Sequence, residues 1–259
     1  MQPTLAIALT GMQDDMNHLD RVAQNMVNMA TPGYKREVVL ARPFTDVLDA
    51  VSAAADGAVT SDVGASLTRP LLLVDTSAGS LKATGQPLDL ALSGDGWFEV
   101  STDHGLAYTR QGDFQVDGKG RLVTSAGDPV MGKSGEIHLL TRTPVIDAAG
   151  NITEPNAPAN AGAPIDGQPT AQVKVVRFES TRDMRHLGAG LQSAGSTPTV
   201  VADATARVHQ GQLESSNTNT MQEMVQVMQT MRHFESMQKA VQGYDDLMGT
   251  AIQKLGDLS

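Results

Sequence analysis

The sequence predicts an α+β protein in which an antiparallel β domain is inserted between an N-terminal and a C-terminal helix. Both ends of the chain carry apolar side chains at helical spacing. Between them, apolar and polar residues alternate along short segments that end in Gly and Asp turns, which is typical of antiparallel strands. The 259 residues include no Cys, which excludes disulfides and thiolate metal sites.

Residues 1–36 are predicted to form the first element, a helix followed by a turn. Its apolar side chains are spaced alternately by four and three residues, the a/d pattern of a coiled coil. The run Thr31-Pro32-Gly33 is predicted to end the helix, because proline disfavours the α conformation at Thr31 and glycine permits a left-handed turn. The apolar seam of this helix consists of Leu5, Leu9, Met12, Met16, Leu19, Ala23, Met26 and Ala30.

Residues 37–78 are predicted to be an extended linker segment, with the small and polar stretch 50–66 as a linker or surface loop. The antiparallel β domain is assigned to residues 79–210. Within it, the Pro-rich stretch 154–171 is predicted to be a long surface loop. Aromatic residues make up only 3% of the chain, so the core is expected to be aliphatic. Predicted turns of this domain lie at 93–96, 103–105 and 117–118, and further strands at 97–100 and 173–178.

Residues 211–259 form the last predicted element, a second helix that begins near an N-cap at Asn217 or Thr220. Two narrow apolar seams at the chain ends imply helices that are marginal alone and stable when packed. We therefore expect the ends to pair with each other or with other subunits, in a coiled-coil-like assembly region. The seam of the second helix consists of Met224, Val227, Met231, Phe234, Val241, Met248, Ile252 and Leu255.

Charge and hydropathy narrow the classes of partner. The formal net charge is −10 and no block of Lys or Arg stands out, which disfavours nucleic acid and anionic membranes. No apolar run approaches the roughly 20 residues of a membrane span. The first ten residues lack the basic region and cleavage site of a secretory signal, so any export is expected to proceed without a cleaved peptide.

One segment fits a catalytic motif. Residues 127–134 match the phosphate-loop pattern G-x-x-x-x-G-K-[ST], which requires a following helix to hold phosphate. Residues 135–140 alternate like a strand instead, so a β turn is favoured and a nucleotide hydrolase using Lys133 is the enzyme alternative. The six His residues show no metal-ligand spacing. No catalytic, cofactor-binding or metal-binding residue is predicted.

Three groups of short motifs occur in order along the chain. They lie in the N-terminal helix and its turn, in the β domain, and around the start of the C-terminal helix. Their residues are Gly11-Met12, 22–28 and 31–36; 87–98 and 108–114; and Leu213 to Asn217, Glu223-Met224-Val225 and Arg232-His233-Phe234-Glu235.

Together these motifs resemble the bacterial flagellar rod and hook protein family, although Gln24, Val27 and Thr218 depart from its pattern. The resemblance implies an axial subunit, not an enzyme. It implies export by the flagellar type III apparatus, a place in the periplasm-spanning basal body, and terminal helices that polymerise with rod and hook subunits into a hollow tube. It adds to the seams these assembly residues: Asn25, Asn28, Gly33, Tyr34, Asn217, Glu223, Arg232 and Glu235.

Two further alternatives remain open from the sequence. The Arg232-His233-Phe234-Glu235 run and the turn at 95–97 favour a proximal rod protein, whereas residues 80–91 and the segment 37–78 fit a distal rod or hook-type protein nearly as well. A free-standing secreted β protein, whose ends form only an intramolecular hairpin, would share the fold without the function.

Overall fold

The α+β class is confirmed by a computed structural model that describes residues 2–40, 71–154, 169–180, 184–188, 190–193, 198–200 and 207–256. Short antiparallel strands lie between an N-terminal and a C-terminal helix. The predictions for residues 50–66, and for most of the loop at 154–171, lie outside the described residues.

Helix α1 spans Gln2–Val27 and α2 spans Thr220–Gly256. A 3-10 turn over Asn28–Ala30 tightens the end of α1, and the backbone amide of Thr31 donates to the carbonyl of Asn28 over 3.1 Å. Gly33 then adopts a φ of 65°, the left-handed conformation that glycine tolerates best. The predicted end of the first helix is therefore confirmed.

The N-cap of α2 corrects the sequence prediction. The side-chain oxygen of Asn219 accepts from the backbone amide of Met221 over 3.0 Å, which satisfies one of the free donors of the first turn. Asn217 does not cap the helix, because its side-chain oxygen accepts from the backbone amide of Arg36. Thr220 is already the first residue of the helix.

The strands are short, as the frequent turns predict. In chain order the first ten are β1 Glu37–Leu40, β2 Leu71–Val74, β3 Leu81–Ala83, β4 Leu90–Ser93, β5 Trp97–Thr102, β6 Gly105–Thr109, β7 Gln115–Val116, β8 Leu122–Val123, β9 Met131–Gly132 and β10 Gly135–Glu136. The later ones are β11 Val145–Ile146, β12 Asn151–Thr153, β13 Ala171–Gln172, β14 Val175–Arg177, β15 Arg185–Gly188, β16 Leu191–Ser193, β17 Thr199–Val200, β18 Arg207–Gln210 and β19 Gln212–Glu214.

Among the described residues the largest sheet has the strand order β15-β16-β6-β5-β14-β17. Its centre is the β5–β6 hairpin, which closes at the predicted turn with Thr102 opposite Gly105. A smaller sheet has the order β11-β12-β13, and β4 pairs with β18 while β3 pairs with β19. The last two pairings matter for the site, because they join strands just before α2 to strands early in the β domain.

The core of the β domain is mostly aliphatic, as the composition predicts. Leu90, Val100, Val130 and Ile152 are fully buried there. The ring of Phe98 meets that of Phe114 edge to face, with centroids 5.2 Å apart. This core holds the strands of the β unit together.

The chain divides into two compact units. The first, here called the helical unit, contains α1 and α2. The second, the β unit, contains residues 28–38 and 72–218, so it includes the segment after α1 and the strands before α2.

Candidate assembly site

In the helical unit, α1 and α2 contact each other along a face that carries polar as well as apolar side chains. Asn25 of α1 and Glu223 of α2 are both at least 98% buried, and the Asn25 amide nitrogen lies 3.5 Å from a carboxylate oxygen of Glu223. Val22 and Thr230 are also buried. The buried polar groups fix which residues of the two helices stand opposite each other, because an unpaired buried carboxylate is unfavourable.

Two further contacts determine how α1 and α2 pack against each other. The side chain of His233 lies 2.7 Å from the Asp15 carboxylate. Gly11 allows close approach, since a β carbon there would stand 3.1 Å from the terminal methyl of Met237. Small residues at helix crossings permit such short separations without a cavity. The pair is therefore specified by Gly11, Asp15 and Asn25 and their partners.

The predicted seam of α1 divides into two rows. Met12, Leu19 and Met26 are half-buried, on the same side as Val22. The other row is exposed, because it lies about 100° around the helix from the face of α1 that contacts α2. The exposed row consists of Leu9, Met16, Ala23 and Ala30; the side chain of Leu5 lies outside those described.

The seam of α2 divides in the same way. Val227, Phe234 and Val241 are half-buried and share a side with Glu223 and Thr230. Met224 and Met231 are exposed on the other side, as are the signature residues Arg232 and Glu235. The side chains of Met248, Ile252 and Leu255 lie outside those described.

The exposed side of α2 carries a continuous apolar row that the predicted seam included only in part. At about 100° per residue, its five members fall within a sector of roughly 120° opposite the buried face. Three of them were missed by sequence reasoning, although their spacing by three and four residues is itself the signal of an amphipathic face. This outer row of α2 consists of Met221, Met224, Val225, Met228 and Met231.

In the β unit, a buried ionic cluster joins the segment after α1 to the strand before α2. Glu214 of β19 accepts from the Lys35 ammonium over 2.7 Å, from the Arg110 guanidinium over 3.1 Å and from the Gly79 amide over 2.8 Å. Lys35, Glu214 and Arg110 are at least 96% buried. Burial lowers the pKa of the Lys35 ammonium, an effect that the Glu214 carboxylate opposes.

Backbone contacts extend this junction, here called the clasp and defined as residues 31–36 with 214–217. The Gly33 amide donates to the Glu214 carbonyl over 2.7 Å, and the Arg36 amide donates to the Asn217 side chain over 2.9 Å. The Asn217 amide nitrogen donates in turn to the Asp75 carbonyl. Within the β unit, Gly33, Asn217 and the buried Tyr34 therefore belong to a contact that joins the segment after α1 to the segment before α2.

Gly33 is required sterically as well as conformationally. A β carbon at this position would stand 2.2 Å from the carbonyl carbon of Arg110, a distance that no folded chain accepts. Asn28, another of the assembly residues that the resemblance implies, lies in the 3-10 turn, where its carbonyl accepts from the Thr31 amide. Asn28 and Gly33 thus determine the backbone conformation of the segment between α1 and the clasp.

The phosphate-loop match folds as the favoured β turn. Gly132 pairs with Gly135 across the β9–β10 hairpin, so a strand follows Lys133 where nucleotide binding needs a helix N-terminus. The Lys133 amide donates to the Gln172 carbonyl and cannot point at a phosphate. Within the described parts of the chain no group of three or more His, Asp and Glu side chains is arranged to hold a metal ion.

Comparison with known proteins matches the two regions just described. A family model described as the flagellar hook protein FlgE/F/G D1 domain matches residues 91–161, in the β unit. Another, described as the flagellar basal body rod FlgEFG protein C-terminal, matches residues 209–254. The flagellar basal-body rod protein FlgF of Escherichia coli is 31% identical over 98% of this chain and 99% of its own length. The chain belongs to the flagellar basal-body rod protein family.

Other members of the rod family align over similar lengths. The rod protein FlgG of Buchnera aphidicola is 28% identical over the whole of both chains. FlgG of Bacillus subtilis is 28% identical over 96% of this chain and 97% of its own length. Relatives named FlgF and FlgG therefore both match this rod-family chain from end to end, with its helices as well as its β unit.

No helix in the described part of this rod-family chain is both long enough and apolar enough to cross a membrane.

Proposed function

We propose that this chain is a structural subunit of the flagellar basal-body rod, which polymerises with other axial subunits through the exposed apolar rows of α1 and α2. The observation that carries the proposal is the outer row of α2. Five apolar side chains stand exposed along one side of a long helix in a chain whose relatives are named as rod proteins. A contiguous exposed apolar row of this kind is typical of a surface that a protein partner covers.

The proposed occupant of this row is a terminal helix of a second copy or of a related rod or hook subunit. The α1–α2 face within the chain includes polar contacts such as Asn25 with Glu223, and the outer row of α2 stays exposed for a neighbour. Covering five half-exposed side chains contributes about 5 kcal/mol gross per helix. Met supplies four of the five, and its flexible side chain suits neighbours that are not identical.

The remaining parts of the proposal come from the resemblance. The subunit is exported by the flagellar type III apparatus and resides in the periplasm-spanning rod, with its terminal helices in a coiled-coil-like inner tube and its β unit outward. We assign it to the proximal rod, on the Arg232-His233-Phe234-Glu235 run and the turn at 95–97. A distal rod or hook-type subunit is the other outcome of the experiment below.

The test is to delete the gene and to isolate basal bodies from the complemented strain. We expect non-motile cells without a complete rod, motility restored by the wild-type gene, and the chain in purified basal bodies. The rod components that still incorporate in the deletion strain give the order of assembly. That order distinguishes a proximal from a distal rod subunit. Normal motility after deletion would contradict the proposal.

The enzyme alternative has its own test, which is ATP binding measured by calorimetry. We expect no binding by the wild-type chain, because the Lys133 backbone lies in a hairpin. We also expect Lys133→Ala to leave motility unchanged. Micromolar affinity that Lys133→Ala abolishes would favour a nucleotide hydrolase.

A further inference from the structure

The outer row of α2 is also a concentration of accessible sulfur. Met221, Met224, Met228 and Met231 are 80%, 50%, 52% and 53% exposed, although methionine is usually a core residue. They fall within three helical turns on one side of the helix. Met184 of the β unit, by contrast, is only 1% exposed. The chain has no cysteine, so methionine is its readily oxidised side chain.

We propose that this methionine row is a reversible oxidation site, at which peroxide converts unassembled subunits into a form that cannot join the rod. The inference rests on the proposed function, because it takes the row to be covered in the assembly. A subunit is open to the oxidant before incorporation and protected after it.

The chemistry balances with hydrogen peroxide as the two-electron oxidant. The thioether sulfur attacks one peroxide oxygen, the O–O bond breaks, an S–O bond forms, and the second oxygen leaves as water. The product is methionine sulfoxide, which methionine sulfoxide reductases return to the thioether. Exposure governs the rate, since the sulfur lone pair must reach the peroxide.

The physical consequence follows from the polarity of the sulfoxide. Its oxygen is a hydrogen-bond acceptor on a side chain that would otherwise be covered by apolar neighbours. Burying such an acceptor without a donor weakens association by about tenfold for each group. In the isolated subunit the same oxygen is solvated, so oxidation leaves the fold of the chain intact.

The first test measures site selectivity in the purified full-length chain. The chain is treated with limiting hydrogen peroxide, and sulfoxide at each methionine is followed by peptide mass spectrometry. We expect the four row methionines to oxidise at least about tenfold faster than the buried Met184, which serves as the internal control. Equal rates at Met184 and at the row would overturn the inference and leave the proposed function untouched.

The second test measures incorporation in cells with two matched variants. Met→Leu at all four positions keeps the row apolar and removes the sulfur, whereas Met→Gln at all four imitates the polarity of the sulfoxide. We expect the Leu variant to assemble and the Gln variant to be exported and folded but absent from basal bodies.

Peroxide exposure during new synthesis completes the comparison. Incorporation of wild-type subunits made during exposure should fall at least about tenfold, while the Leu variant, which keeps the exposed Met16 of α1, should fall much less. An equal fall in both would overturn the oxidation site alone. Normal incorporation of the Gln variant would instead contradict the proposed function, because the row would then not be covered in the rod.

Discussion

At the scale of single residues, Glu214 holds the clasp together. Its two carboxylate oxygens accept from Lys35, Arg110 and the Gly79 amide in a site closed to water. Two buried cations depend on this one anion. Removing one member of a buried ionic group is strongly destabilising, since the remaining charges lose their compensation.

Replacing Glu214 tests this dependence. We expect Glu214→Ala to lower the free energy of unfolding of the β unit by about 3–5 kcal/mol, because Lys35 and Arg110 would be left buried without an anion. Chemical denaturation followed by circular dichroism measures it. Glu179→Ala, an exposed carboxylate of the same unit, is the control and should change stability little. An equal effect of the two variants would show that the cluster does not stabilise the clasp.

Gly33 makes a second prediction at this scale. Gly33→Ala adds a β carbon 2.2 Å from the Arg110 carbonyl carbon and places a side chain at a φ of 65°. We expect a loss of more than about 2 kcal/mol in the free energy of unfolding. At Gly85, also at positive φ but in open space, alanine should lose only about 1 kcal/mol. Similar losses of unfolding free energy at both sites would show that the positive φ, and not the contact with Arg110, causes the loss at Gly33.

Three residues of the clasp were named from the sequence, but as an assembly interface and not as a contact within the β unit. Gly33, Tyr34 and Asn217 were named through the family resemblance, and the turn after α1 followed from Pro32 and Gly33. Arg110 and Glu214 also lie in the matching motifs, but nothing in the sequence shows that they meet. Their contact depends on the pairing of β19 with β3 and on how the strands stack, which is set by residues far apart in the chain.

At the scale of elements, each terminal helix has two apolar rows and not one seam. The 3-4 spacing correctly predicted both helices. The spacing does not show which of these residues are buried within the chain. Val227 and Phe234 are half-buried, whereas Met224 and Met231 are exposed. Periodicity reports apolar positions, whereas the face that is buried within the chain also includes Asn25 and Glu223. Polar residues at a helix contact are invisible to a search for apolar seams.

A charge in the outer row of α2 tests its role. We expect Met228→Asp to leave a folded, exportable chain, since residue 228 is already exposed, and to abolish incorporation into basal bodies, because a carboxylate would be buried in each subunit contact. Swimming in soft agar and immunoblots of basal bodies measure the effect. Gln229→Asp, at an exposed position beside the row, is the matched control and should assemble. Equal motility of the two variants would exclude the row as an assembly surface.

At the scale of the whole molecule, the chain is built from a β unit with two buried hydrophobic clusters and a helical unit whose contact face is partly polar. The β unit consists of residues 28–38 and 72–218, whereas the sequence assigned the β domain to residues 79–210. We therefore expect the β unit to be the more stable of the two in an isolated subunit.

Limited proteolysis tests this difference. We expect trypsin to cut first after Arg232 and Lys239, which are exposed on α2, and to leave a resistant fragment of the β unit that contains Arg110. Mass spectrometry of the early fragments identifies the order of cleavage. Protection of α2 equal to that of the β unit would indicate a helix pair that is stable by itself, as in the hypothesis of a free-standing secreted protein.

The absence of cysteine permits a direct test of the assembly surface. A single Met228→Cys substitution introduces one thiol into a chain that has no other. Maleimide labelling is then compared between the purified subunit and isolated basal bodies, with denatured basal bodies as the control for total thiol. We expect rapid labelling in the subunit, protection in basal bodies and full labelling after denaturation. Labelling of native basal bodies at the rate of the free subunit would contradict the claim that neighbouring subunits cover the outer row of α2.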